Sequence, residues 1–296
     1  MSLARLYPQL AKDYHVEELP DLLLFRPLGF LLVMLIRFLP VTPNQISMFS
    51  VVIGVVSAWF FSRGDHAGFI AGGLGYGLAN TLDCCDGMIA RLKHNGSLMG
   101  RTIDGLADAL AGLAVHIGLA VGLTKAVAAG SLRLPFNPVL LVALAGISAL
   151  IQSVFADKYR NRYETHALGR CLAPEKELEF FTAERNRLRE GKGRQLRKFL
   201  VALNIAYSSL QAGGRKQAFV RFDSQEYRRR NGLLVMLWNL LGPTTHIFVL
   251  IVAALLYRPG LYLLYAIILS QVWMAFLLVW QKRADTHMPL TSGADV

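Results

Sequence analysis

The chain has 296 residues, 54% of them hydrophobic and 17% charged, with a formal net charge of +11 and a mean hydropathy of +0.40. That balance excludes disordered, collagen-like and disulfide-stapled chains, and it excludes a soluble two-domain enzyme as well; it describes an integral membrane protein. Cys84 and Cys85 are adjacent and Cys171 stands alone, so the cysteines form neither a disulfide framework nor a zinc-ligand spacing.

Residues 1–20 carry Asp13, Glu17 and Glu18 and no apolar core, which argues against a cleaved signal peptide. Residues 22–40 are apolar but interrupted by Arg26, Pro27 and Arg37. The clean run 27–36 is too short to span a bilayer, so 1–40 is expected to be a cytoplasmic N-terminus ending in an interfacial amphipathic helix. Six uncharged runs follow, at 38–62, 67–82, 109–124, 134–156, 231–257 and 259–281, and predict an all-α protein of six transmembrane helices. Helices 1–4 occupy 41–156, a basic helical insert 157–230, helices 5 and 6 231–283, and a tail 284–296. The runs 67–82 and 109–124 have only 16 residues each, and each completes a span only by extending through the carboxylates beside it.

Lysine and arginine placement sets the expected orientation. With the N-terminus inside, the outer loops hold Arg63, Lys125, Arg133 and Arg258, leaving 31 − 4 = 27 basic residues on the cytoplasmic side. The 157–230 segment has 18 Lys and Arg against 9 Asp and Glu. Its charge alternation around Leu178, Phe181, Leu188, Leu196 and Leu200 predicts two helices broken near Gly191. Such a face attracts anionic lipid head groups or is a solvated positive-inside loop. No aromatic-basic motif supports nucleic acid as a partner.

Between His66 and Phe155 the acids are Asp83, Asp86, Asp104 and Asp108, and no others. Asp83 and Asp86 are i, i+3 on the second span; Asp104 and Asp108 are i, i+4 on the third. The short connection 91–101, with Asn95-Gly96 as its turn, predicts antiparallel neighbours with all four carboxylates near one membrane end. Carboxylates at membrane depth are functional by default, and four crowded together repel unless cations accompany them. Oxygen ligands without His or Cys suit Mg²⁺ or Mn²⁺, and two such ions suit a diphosphate-containing substrate. Gly87 and Ala90 follow the first pair by one turn, Gly100 precedes Asp104 by one turn, and Arg91 adds positive charge. The bracketing glycines leave space for a ligand, whereas Gly72, Gly73, Gly75 and Gly77 are expected to be packing positions.

Residues 83–108, DCCDGMIARLKHNGSLMGRTIDGLAD, satisfy all eight positions of D-x2-D-G-x2-A-R-x8-G-x3-D-x3-D. This pattern resembles the signature of the CDP-alcohol phosphatidyltransferase family, and the upstream Val41-Thr-Pro-Asn-Gln-Ile-Ser47 is similar to the segment that often opens the family's core. The resemblance implies a six-helix membrane enzyme, usually a homodimer, that moves a phosphate-linked group from a CDP-alcohol to a second alcohol and releases CMP. It implies Asp83, Asp86, Asp104 and Asp108 as ligands of two metal ions and Asp108 as the general base. Gly87, Ala90 and Gly100 would make room for the CDP moiety, with Arg91 and Asn44 assisting. CDP-diacylglycerol is the favoured donor, with CDP-choline or CDP-ethanolamine acting on a lipid alcohol as the alternative.

The remaining polar residues have plainer readings. Trp238 to His246 is expected to be a proline-kinked helix whose hydroxyls satisfy freed carbonyls, with His246 at the acceptor pocket as the sharper alternative. Arg160, Arg162 and Arg170 would bind a phosphorylated acceptor or simply anchor the span. His116 is expected to bond between helices, and Cys84 and Cys85 to pack beside the acids. A membrane prenyltransferase would carry two separate aspartate-rich motifs, and an ion-coupled transporter an internal repeat; neither feature is found in the sequence.

Overall fold

The computed structural model describes residues 7, 8, 10, 13–93, 98–169, 174–189, 195–212 and 222–286; the expected Asn95-Gly96 turn, Gly191, Arg170, Cys171 and the end of the tail lie outside them. The described residues are overwhelmingly helical. A π-helical turn, Asp21–Phe25, leads into α1 (Arg26–Ile36), followed by α2 (Pro43–Phe61), α3 (His66–Leu92), α4 (Leu98–Ala128) and α5 (Pro138–Tyr163). Then come α6 (Pro174–Arg189), α7 (Gln195–Ala212), α8 (Ser224–Asn239), α9 (Pro243–Leu255), α10 (Pro259–Leu264) and α11 (Ser270–Thr286). Among the described residues, five stretches are long and apolar enough to cross a membrane: Pro43–Phe61, Thr102–Ala128, Pro138–Leu168, Ser224–Leu255 and Pro259–Thr286. The other expected span, 67–82, lies within α3. At 27 residues α3 has the length, but its glycines, Asn80 and two aspartates dilute its apolar content.

The chain divides into two compact units, 1–153 with 239–275 and 154–238 with 276–296. In the first, α1 is only 11 residues long. It buries Arg26, Gly29, Phe30 and Val33 on one face and exposes Leu28, Leu31 and Leu35 along the other, the pattern of an interfacial helix. Thr42 starts α2 with a capping box: its Oγ1 accepts from Gln45 N at 3.4 Å, and its own N–H donates to Gln45 Oε1 at 2.9 Å. Asp65 caps α3 by accepting from Gly68 N at 2.7 Å. That bond, with the Arg63 guanidinium at 2.8 Å, holds the Asp65 carboxyl below the usual carboxylate range. The cap is therefore complete above that range and is lost as pH falls through the lowered pKa.

Helix α2 is the common partner of α3 and α4. Along α4 it runs parallel, with Gly54 at Ala111, Ala58 at Gly118 and Phe61 at Gly122. A Cβ at Gly118 or Gly122 would overlap the Ala58 or Phe61 carbonyl, so these two glycines set how closely the backbones approach. Along α3 the direction reverses: Gly75 and Gly72 face Ser57 and Phe61, and Ser57 Oγ donates to Gly72 O. Gly73 and Gly77 face Ala254 and Ile251 of α9, which is thus antiparallel to α3. All four of these α3 glycines pack against neighbouring helices, as expected. Phe61, Phe69, Tyr76, Leu119, Leu123, Leu250 and Tyr262 belong to the core between them.

The expected kink before α9 is a full break. Leu240, Leu241 and Gly242 leave the helix, Gly242 takes an extended conformation (φ −73°, ψ 163°), and Pro243 opens α9. Freed carbonyls are satisfied by hydroxyls: Thr245 Oγ1 donates to Asn239 O at 3.1 Å and Tyr265 OH to Leu240 O at 2.7 Å. The N-terminus of α9 receives Glu18, whose Oε2 accepts from Thr245 N at 2.7 Å and lies 2.9 Å from Thr245 Oγ1, and a Cβ at Gly242 would strike this carboxylate.

In the second unit α6 and α7 pack as a pair, burying Phe181, Leu188, Leu200 and Val201, with Arg197 bound to Glu184 at 2.6 Å. They flank the expected break near Gly191. Trp238 stacks on Tyr159 at 4.4 Å and donates to Gln281 Oε1 at 3.2 Å; Gln281 Nε2 in turn reaches Asn231 and Asp285, each at 2.9 Å.

Two identical substitutions separate the packing roles. Gly122→Ala should destabilise by more than the ~1–3 kcal/mol of ordinary overpacking, because the added carbon meets backbone. Gly77→Ala meets the tip of Ile251 at 3.3 Å and the edge of the Phe25 ring at 3.8 Å, and should stay within about 1 kcal/mol of wild type. Thermal unfolding in detergent micelles checks both.

Candidate active site

The register of the helices brings the acids together. Asp83 and Asp86 lie toward the C-terminal end of α3, Asp104 and Asp108 toward the N-terminal end of α4, and Ser47 of α2 is level with both pairs. One carboxylate oxygen from each of Asp83, Asp104 and Asp108 lies within 4.8 Å of the others. Asp86 joins through Ser47, whose Oγ is 2.5 Å from Asp86 Oδ2 and 3.5 Å from Asp104 Oδ1, while its backbone-facing contact is Pro43 O at 3.2 Å. Asp86 is buried, Asp83 and Asp104 half-buried and Asp108 exposed.

These residues fit a divalent cation. The donor set is all carboxylate oxygen, the preference of Mg²⁺ and Mn²⁺. Asp83 Oδ1 is also buried without a hydrogen-bond partner among the described residues, a cost that a bound cation would relieve.

Among the expected CDP positions, Gly87 has open surroundings. A Cβ at Gly87 would meet only the Arg91 guanidinium nitrogens, both 3.8 Å away, so no neighbouring helix demands glycine there. Arg91 is anchored by its Nε, which donates to Leu10 O at 2.7 Å. Ala90 and Gly100 are half-buried, on α3 and at the start of α4. Asn44 is exposed in the first turn of α2, three residues before Ser47 and on the same helical face.

The expected acceptor residues already have internal partners. Arg160 binds Asp157 at 3.2 Å and Arg162 binds Asp285 at 2.9 Å, both within the second unit. His246, in the first unit, is buried with its Nε2 2.8 Å from Gln152 Oε1, and Gln152 Nε2 donates to Ser270 Oγ at 2.8 Å. His116 bonds Gly112 O and Tyr262 OH, at 2.8 and 2.9 Å, as an interhelical residue should. Cys85 packs fully buried against Gly29 of α1, and Cys84 Sγ lies 3.6 Å from Asp21 Oδ1.

Sequence reasoning missed three contributors. Ser47 was treated as part of an opening segment, although a hydroxyl one turn beyond Asn44 in an apolar span was its signal. Glu18 counts in the sequence only as evidence against a signal peptide, and Asp21 receives no reading there; Asp21 Oδ2 accepts from Thr244 Oγ1 at 3.1 Å, and nothing local announces a partner more than 220 residues away.

Comparison with known proteins agrees with this geometry. Residues 40–182 match the family described as CDP-alcohol phosphatidyltransferase. The curated bifunctional IPC transferase and DIPP synthase of Rubrobacter xylanophilus is 31% identical over 131 residues, which cover 44% of this chain and 26% of the relative. The match thus spans about a quarter of that relative's length. Residues 40–182, with the complete eight-position motif inside them, are thus similar to the CDP-alcohol phosphatidyltransferase family.

Proposed function

We propose that the protein transfers a phosphatidyl group from CDP-diacylglycerol to a polar alcohol and releases CMP. The observation that carries this reading is the convergence of Asp83, Asp104 and Asp108 within 4.8 Å inside the family motif. Asp83, Asp86, Asp104 and Asp108 would hold one or two Mg²⁺ or Mn²⁺ ions, with Ser47 orienting Asp86. Bound there, the cations would neutralise the diphosphate. Gly87, Ala90 and Gly100 leave space for the cytidine diphosphate, Arg91 contributes positive charge anchored on Leu10 O, and Asn44 stands at the rim.

Asp108, the most exposed of the acids, is assigned as general base. Its carboxylate takes the proton of the acceptor hydroxyl as the acceptor oxygen bonds to the lipid-side phosphorus. The bond from that phosphorus to the bridging oxygen breaks, and CMP leaves with the electron pair. Arg160, Arg162 and His246 remain proposed acceptor contacts, which for the two arginines requires exchange of their carboxylate partners. From 27 basic residues on one side against 4 on the other, we infer that the site and both termini face the cytoplasm. We further infer a homodimer, on the family resemblance alone.

Purified protein given CDP-diacylglycerol, Mg²⁺ and pooled polar alcohols should release CMP. CMP appearing only with CDP-choline or CDP-ethanolamine and a lipid alcohol would instead reverse which substrate carries the lipid. Asp108→Asn should lose turnover by about 10²–10⁴-fold while keeping CDP-dependent thermal stabilisation, and full activity would remove the general-base role. Arg91→Ala should weaken CDP binding about tenfold, read by calorimetry. Mn²⁺ at about 100 times its Kd should stabilise wild type by about 2.7 kcal/mol against thermal unfolding, and Asp104→Asn should remove most of that gain.

A further inference from the structure

Below the carboxylates, Tyr76, Asn80, Asp83 and Gly87 form one stripe of α3, spaced i, i+4, i+7 and i+11. Two members show where the stripe points. Asp83 meets Asp104 and Asp108, and Tyr76 OH lies 3.6 Å from the Cβ position of Gly112, so both face α4. Asn80 is one turn from each and lies at the edge of that face, on the side where Gly73 and Gly77 meet α9. The antiparallel register pairs residue 83 with 108 and residue 76 with 112, which sets Asn80 beside Asp108 or within a turn of it. Asn80 is 7% exposed, and its Nδ2 has no hydrogen-bond partner among the described residues. A buried amide nitrogen left unpaired costs about 1–3 kcal/mol, and native structures retain few such groups.

A group that fits between an amide donor and a carboxylate must accept from one and donate to the other, and a hydroxyl does both. We propose that Asn80 binds the acceptor alcohol: its amide donates to the hydroxyl oxygen and directs the O–H at Asp108. This rests on the transfer reading above and adds to it the residue that selects and orients the nucleophile. The proton goes to Asp108 and the oxygen to phosphorus, so Asn80 itself gains and loses nothing. The ribose hydroxyls of the donor have the same chemistry, and the test separates them from the acceptor.

The experiment compares wild type, Asn80→Leu and Asn80→Ser in two assays: Mg²⁺-dependent CDP binding by calorimetry, and CMP release from CDP-diacylglycerol against acceptor concentration. Asn80→Leu should lose about tenfold or more in kcat/KM for the acceptor with CDP affinity within about twofold of wild type, and Asn80→Ser, which keeps a short donor, should recover part of the loss. Retained CDP affinity also shows that the variant has folded. A variant that does not bind CDP is judged from Asn80→Ser alone. Loss of CDP affinity in Asn80→Ser, absent when 2′,3′-dideoxy-CDP is the ligand, would assign the amide to the donor ribose and overturn the proposal. Unchanged constants in both assays would overturn it as well, leaving Asn80 a structural residue. Wild type that neither binds CDP nor releases CMP would overturn the transfer reading itself.

Discussion

Charge repulsion among carboxylates governs this structure. At a separation near 4.8 Å, two full charges repel by roughly 3–4 kcal/mol at an effective dielectric of about 20, and the three clustered acids form three such pairs. Arg91 on α3 offsets a part of that repulsion, and the packing around the two helices opposes the rest. Helix α2 touches both, and the backbone approach at Gly118 and Gly122 fixes α4 against it along the whole span. The acids are therefore held together by contacts that lie several turns away from them, and Ser47 is the point where that scaffold reaches the chemistry.

A second set of charges is neutralised inside the same unit. Glu17 and Arg26 are almost fully buried and pair at 2.7 Å, Glu18 sits on the N-terminus of α9, and Asp21 links Thr244 to Cys84, the neighbour of Asp83. Each removes a charge or dipole that would be costly to bury alone. Together they place the start of the chain against the helix that carries half of the site.

What the sequence revealed follows the range of the interactions involved. The spans, the interfacial helix, the packing glycines of α3 and the acid pairs rest on periodicity, and periodicity is local. The eight-position motif was complete, so the carboxylate cluster was legible in composition and spacing alone. The break at Leu240–Gly242 was only half legible: Pro243 announced an irregularity, but a kink became a break because Glu18 caps the freed helix end. The Gly118-x-x-x-Gly122 spacing was a visible close-packing signal that passed unremarked beside the more prominent glycines of α3. Arg160 and Arg162 drew attention as free cations, and their carboxylate partners, Asp157 and Asp285, lie respectively one turn and 123 residues away.

The hydrogen bonds between the first and last parts of the unit have a consequence for biosynthesis. Asn239 Nδ2 bonds the carbonyls of His15 and Glu17, at 2.7 and 2.9 Å, and Glu18 bonds Thr245 across 227 positions of sequence. During synthesis the segment 13–21 emerges long before either partner exists. The ribosome has made α1 to α8 by the time Asn239 appears, so Glu18 must wait, hydrated at the membrane surface, while the acid-bearing helices insert. The nascent chain closes only when α9 arrives, which makes the assembly of this protein a late event in its own translation.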